Sequence, residues 1–188
     1  MKNTIRAFIA VEINESLQNG LLHAQGILRQ SGADVKWTEP NNIHLTLKFL
    51  EDIPASNVGV IGEIMAKAVQ GIRPFPIDIT ELNAFPDILF PKIIWAGVTK
   101  NADLLSRIVT NLDAGLTPLK IKKEERQFAA HITLGRTRSF IGKDKLSASL
   151  EETNLPSGLT QTVNHLSLIQ SALTPKGPVY TTVQKVSL

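Results

Sequence analysis

The chain has no cysteine among its 188 residues. Disulfides, thiolate nucleophiles and cysteine metal ligands are therefore excluded. Long apolar runs are also missing. No stretch approaches the roughly 20 residues of a membrane-spanning helix, and the N-terminus lacks the charged-then-apolar layout of a signal peptide. A cytoplasmic protein with no membrane partner is the expectation. No short repeat period occurs, which excludes a solenoid. No linker rich in Gly, Ser or Pro divides the chain, so residues 1–188 are expected to form one domain of two lobes.

What remains is ordinary in bulk: 43% apolar and 20% charged, with a net charge of +3. The charge is uneven. Pro118 to Lys145 holds eight Lys/Arg (Lys120, Lys122, Lys123, Arg126, Arg136, Arg138, Lys143, Lys145) against three acids. An anionic ligand near that stretch is plausible.

Hydrophobic spacing divides the chain into elements. "RAFIAVEI" (6–13) reads as a strand. Ser16 is placed to cap a helix whose Leu17, Leu21 and Leu28 share a face. "VKWT" is short and extended. Ser56 is the expected cap of a second helix with Val58, Ile61, Met65 and Ala68 on one side, ended by Gly71. Phe75, Ile77 and Ile79 alternate as in a half-buried strand. Residues 85–91 read as loop and "KIIWAGV" as strand. Asn101 is the expected cap of a third helix, with Gly115 after it. Residues 139–160 read as loop with at most a short helix. "TVNHLSLIQ" and "VYTTVQKV" alternate well, and "PKGP" between them signals a turn.

Two of these strands carry the chemistry. "IHLTLKFL" (43–50) and "AHITLGR" (130–136) each contain His, an aliphatic residue, Thr and Leu, 87 residues apart in a chain with four histidines. Strand side chains alternate between faces, so His44 and Thr46 share one face while Leu45 and Leu47 take the other. His131 and Thr133, with Ile132 and Leu134, repeat this. Two such strands facing one groove bring together two imidazoles and two hydroxyls. Hydrolysis or transesterification of a phosphodiester needs a base for the attacking oxygen and an acid for the departing one, and histidine serves either near neutral pH. Threonine hydroxyls can bind the phosphoryl oxygens. A lone strand histidine is more often structural, but the repeated His-x-Thr pattern weakens that reading. His23 and His165 lack it and are left as structural; Ser167 beside His165 is a weak echo. A metal centre is disfavoured, because no histidines pair at short spacing and cysteine is absent.

At these residues the sequence resembles the two-histidine phosphoesterases. "WTEPNNIHLTLKFL" and "FAAHITLGR" are similar to the two motifs of the RNA 2′,3′-cyclic phosphodiesterases, also called LigT-like 2′–5′ RNA ligases. "RAFIAVEI" and "SALTPKGPVYTTV" resemble that family's ends. The resemblance implies an α+β, bilobal, pseudo-twofold fold, with two antiparallel sheets lining a central cleft and helices outside. It implies hydrolysis of RNA 2′,3′-cyclic phosphate to 2′-phosphate without metal or cofactor, and reversible 2′–5′ ligation as the same chemistry run backward. His44 and His131 match the catalytic pair, with His44 as acid and His131 as base. Thr46 and Thr133 match the phosphate-binding hydroxyls. Arg136 matches a basic residue after the second motif, although its odd offset from His131 demands a bulge, for which Gly135 is the candidate. Phe8 and Phe49 are candidates to stack on a base or to join the core. The partner implied is RNA with 2′,3′-cyclic phosphate ends, bound by a monomer. Glu51 stands where the family often has Gly, and Ala130 where Pro is common. Other readings are a non-catalytic module binding RNA termini, and a phosphodiesterase for small cyclic nucleotides or 2′–5′ oligoadenylate.

Overall fold

Alternation makes the strands. The computed structural model describes residues 3–124, 126–175 and 177–188. Phe75, Ile77 and Ile79 are buried at every second position of their strand, as a sheet with one packed face requires. Among the described residues there are nine strands and four α-helices. In chain order they are β1 (Thr4–Glu12), α1 (Glu15–Arg29), β2 (Val35–Trp37), β3 (His44–Pro54), α2 (Val58–Ala68), β4 (Phe75–Phe85), β5 (Ile93–Val98), α3 (Ala102–Leu116), β6 (His131–Thr137), α4 (Lys143–Glu152), β7 (Thr160–Val163), β8 (His165–Thr174) and β9 (Gly177–Ser187).

Every pairing is antiparallel. The strand order is β7-β4-β5-β6-β3-β1-β8-β9, with β2 added on β6. The two expected sheets are thus two halves of one curled sheet. They meet between β3 and β6 at the registered pair Leu45–Ile132. The strand "TVNHLSLIQ" is broken at Asn164: β7 pairs with β4 in one half, and β8 pairs with β1 and β9 in the other. A single residue carries the chain across. Lys176 of the "PKGP" turn lies outside the described residues; the Thr174 hydroxyl closes the turn by donating to Gly177 O at 2.7 Å.

The duplication extends to the helices. Both α1 and α3 span 15 residues. Glu15 and Ala102 are separated by the same 87 residues as His44 and His131. Each helix packs behind the other half's tetrad. Gln25 of α1 donates from Nε2 to Leu134 O of β6 and to Thr38 O, both at 2.9 Å. Asp113 of α3 reaches Lys48 of β3, with Nζ to Oδ1 at 2.7 Å. Leu17, Leu21 and Leu28 of α1 and Ile61, Met65 and Ala68 of α2 face the core, as their spacing requires.

Helix ends differ from expectation for local reasons. Asn14, not Ser16, caps α1: its Oδ1 accepts from Leu17 N at 2.8 Å, and Ser16 already lies in the first turn. Ser56 falls in a 3₁₀ turn over Ala55–Asn57, and α2 starts after it without a side-chain cap. Asn101 occupies the N-cap position of α3, but its amide donates to Pro76 O instead, at 2.6 Å. Gly115 lies inside α3, where a Cβ would come within 2.6 Å of Ile64 Cγ2. It permits close helix packing rather than ending the helix. Residues 143–152 form α4, a helix of ten residues in the stretch expected to be loop with at most a short helix.

Candidate active site

The Leu45–Ile132 pair sets the geometry. Both side chains are fully buried. Their neighbours His44, Thr46, His131 and Thr133 are half-buried on the other face. In antiparallel register His44 lies across from Thr133, and Thr46 across from His131. The histidines are then diagonal neighbours, roughly 7–8 Å apart at the backbone. A twofold axis through the Leu45–Ile132 pair exchanges the two tetrads.

The imidazoles are anchored alike. His44 Nδ1 lies 2.7 Å from Asn42 O, and His131 Nδ1 lies 2.7 Å from Ala129 O. A carbonyl only accepts, so Nδ1 donates in each ring. That fixes the tautomer of a neutral ring and leaves Nε2 for proton transfer.

Their surroundings differ. Phe8 stacks on His44 at 4.7 Å between centroids, and Tyr180 meets it edge-on at 5.4 Å. Tyr180 belongs to β9, three strands away in the sheet order, so the sheet must curl for this contact to form. Asn42 Nδ2 donating to Pro178 O at 3.2 Å makes the same closure. Burial lowers the His44 pKa below the usual 6.5, against the raising effect of the Asn42 carbonyl. His131 has Phe85 edge-on at 5.2 Å and Trp95 at 6.0 Å.

Matching bulges place two more expected residues. In β3 the register steps from Ala10–Thr46 to Ile9–Lys48, so Leu47 is extra. In β6 it steps from Trp95–Thr133 to Ile94–Gly135, so Leu134 is extra. Each bulge returns the residue two places later to the histidine face. Those residues are Phe49 and Arg136, which are twofold equivalents. The bulge residue is Leu134 rather than Gly135. Gly135 instead admits β2, since a Cβ would lie 2.7 Å from Val35 Cγ1 and 2.9 Å from Trp37 Cε3. Arg136 comes near enough to Tyr180 to lower its pKa, although burial, the larger effect, raises it. Phe8 is 4% exposed and packs with Ala10, Ile169 and Tyr180 behind His44. Phe49 is 49% exposed and open to solvent.

Sequence reasoning missed Tyr180, Phe85 and Trp95 as ring neighbours of the histidines. It also missed a polar cluster beside His44. Glu12 pairs in register with His44. Its carboxylate accepts from Lys185 Nζ at 2.6 Å and the Thr182 hydroxyl at 2.6 Å, and lies 3.2 Å from His165 Nε2. Burial opposes its charge, but the bonds from Lys185, Thr182 and His165 outweigh that and hold the carboxyl at about 2. His165 thus serves Glu12, as a structural histidine. His23 is exposed on α1.

Among the described residues no three His, Asp or Glu side chains converge in a way that could hold a metal ion. No helix among them is long and apolar enough to cross a membrane.

Comparison with known proteins agrees with the duplicated layout. The family model for LigT-like phosphoesterases matches residues 11–95 and again 97–180, one tetrad in each. The chain belongs to the LigT-like phosphoesterase family. It is 32% identical to a protein named RNA 2′,3′-cyclic phosphodiesterase from Methanothermobacter thermautotrophicus, covering 96% of this chain and 97% of that one. It is also 32% identical to one of the same name from Aquifex aeolicus, covering 98% and 97%. The crystal structure of TT0787 of Thermus thermophilus superimposes with a TM-score of 0.78 at 28% identity, covering 98% of each chain. E. coli LigT complexed with 3′-AMP shares the fold, with a TM-score of 0.79 at 17% identity and the same coverage.

Proposed function

We propose that this LigT-like phosphoesterase hydrolyses RNA 2′,3′-cyclic phosphate ends to 2′-phosphates, with His44 and His131 as its acid–base pair. The observation that carries this reading is the Leu45–Ile132 register, which sets two identically anchored imidazoles on one open face. The names of the relatives supply the substrate.

In this mechanism one neutral imidazole takes a proton from water at Nε2. The water oxygen bonds to phosphorus as the P–O3′ bond breaks. The second imidazole, protonated, gives its proton to O3′. The product carries a 2′-phosphate and a free 3′-hydroxyl. The family resemblance implies His44 as the acid and His131 as the base, and this reading keeps those roles. Thr46 and Thr133 donate to the non-bridging oxygens without fixing the protonation of their neighbours. Arg136 offsets the phosphate charge, and Phe49 offers a face for a base. Both half-sites come from one chain, so residues 1–188 act as one two-lobed unit and as a monomer. Water replaced by an RNA 5′-hydroxyl, with the steps reversed, gives 2′–5′ ligation.

The test is incubation with a short RNA ending in a 2′,3′-cyclic phosphate, in EDTA. A product heavier by one water, with its phosphate removable by phosphatase, is expected. Binding without any change in mass would refute hydrolysis and leave a module that holds RNA termini.

A further inference from the structure

A hollow of about 270 Å³ opens beside His44. Arg6, Phe8, Phe49, Glu51, Ser171 and Tyr180 are among its lining residues. Phe8 and Tyr180 also contact the His44 ring, so the hollow shares a wall with that imidazole. Phe49 contributes an exposed aromatic face. The next irregularity in the β1–β3 pairing falls here, where the register steps from Phe8–Phe49 to Ala7–Glu51. Glu51 takes a left-handed backbone conformation, with φ of 56°. Its Oε2 then lies 2.9 Å from Arg6 Nη2, both side chains being more than half exposed.

Stability does not account for this arrangement. A left-handed conformation is unfavourable for a residue with a Cβ, and an exposed ion pair returns little. A carboxylate only accepts hydrogen bonds and a guanidinium only donates. The contact engages one lone pair on Glu51 Oε2 and one nitrogen of Arg6, leaving acceptor sites on both carboxylate oxygens beside the remaining guanidinium donors in an aromatic-walled hollow.

We propose that the Glu51–Arg6 pair reads the terminal base and favours guanine. This rests on the cyclic-phosphate reading above and names its substrate class. Guanine alone presents two adjacent N–H donors, N1–H and the 2-amino group, next to a carbonyl acceptor, O6. The two donors match the carboxylate and O6 matches the guanidinium. Adenine and cytosine offer one amino donor beside a ring acceptor, and uracil one N–H between two carbonyls. Stacking on Phe49 holds any base, while the ion pair discriminates.

The experiment compares kcat/KM for four short RNAs that differ only in the nucleoside carrying the 2′,3′-cyclic phosphate. The guanosine end is expected to lead by about 10-fold or more, the scale of one hydrogen bond to a charged group. Glu51→Gln keeps the shape but turns one acceptor into a donor, and the lead is expected to shrink to less than ~3-fold. Glu51→Gly, at home in the left-handed conformation, is expected to do the same without any risk to the fold. Equal turnover of all four ends, or a guanosine lead that survives both variants, would overturn the guanine proposal while leaving the hydrolytic reading intact. Failure to convert any of the four would overturn the hydrolytic reading and this inference with it.

Discussion

Lys48 is the largest fully buried side chain among the described residues, 2% exposed, and sits on β3 two residues after Thr46. Its ammonium lies 2.7 Å from Asp113 Oδ1 of α3 and donates to Lys122 O at 2.8 Å. It thereby ties the strand of His44 to α3 and to the start of the basic stretch. The Asp113 side chain is 11% exposed, so little water replaces it if it is removed. Asp113→Leu leaves a buried ammonium with one carbonyl for company. Breaking such a pair costs about 3–5 kcal/mol. At roughly 2–4 °C per kcal/mol for a chain of this size, the melting temperature should fall by about 6–20 °C. Lys48→Met with Asp113→Leu removes both charges and should recover most of that loss. Thermal and urea unfolding followed by circular dichroism, on both singles and the double, gives the coupling energy, expected above ~2 kcal/mol. A double variant no more stable than Asp113→Leu alone, or a single that costs nothing, would refute the claim that the ammonium is shielded from water.

His44→Ala and His131→Ala should each lower turnover by about 10²–10⁴-fold. A substrate with sulfur at the 3′ bridging position, whose thiolate leaves without an acid, should rescue His44→Ala and not His131→Ala; the opposite rescue would reverse the assigned roles. The pKa of His44 is depressed on folding, so below about 6.5 the unfolded chain binds a proton that the folded one resists. Its contribution to stability is therefore held above that pH and lost as pH falls below it, and His44→Phe should flatten the unfolding free energy between pH 5 and pH 7. Glu12 stabilises above its ordinary value of 4.5 and loses that contribution as pH falls toward about 2. Because the group is about a third exposed, the loss measured by acid unfolding of wild type against Glu12→Gln should be no more than ~1 kcal/mol. Arg136→Ala should raise KM and make binding of an RNA end less sensitive to salt.

The tetrads were legible because a strand has a strict period of two. Leu45 and Ile132 had to face inward, and that committed His44, Thr46, His131 and Thr133 to the opposite face. The position of Arg136 was less accessible. Its odd offset signalled an irregularity, but only the pairing with β5 shows that Leu134 is the residue in excess. Phe49 gave no such warning, because its equivalence to Arg136 appears only when the two tetrads are superimposed. Tyr180 was out of reach: no local pattern reports that a strand three places away curls back over His44. The break at Asn164 does leave a mark, since Val163 and Leu166 stand three residues apart and the alternation changes phase between them, but one slip in an otherwise regular run is easily read through. The caps at Ser16 and Ser56 failed because a serine near a helix start satisfies the pattern wherever it falls in the first turn, and Asn14 competes for the same backbone donor.

The crossing of α1 and α3 behind each other's strands bears on how such a molecule arises. A half-length chain would own one imidazole and a helix that lacks the strand it packs behind in the full chain. Two copies, each lending its helix to the other, would complete both cores and form a symmetric homodimer with two identical rings at its axis. Joining the copies end to end removes the symmetry requirement. A substitution then reaches one ring without reaching its twin, which is how a caged imidazole and an open one come to sit in the same cleft.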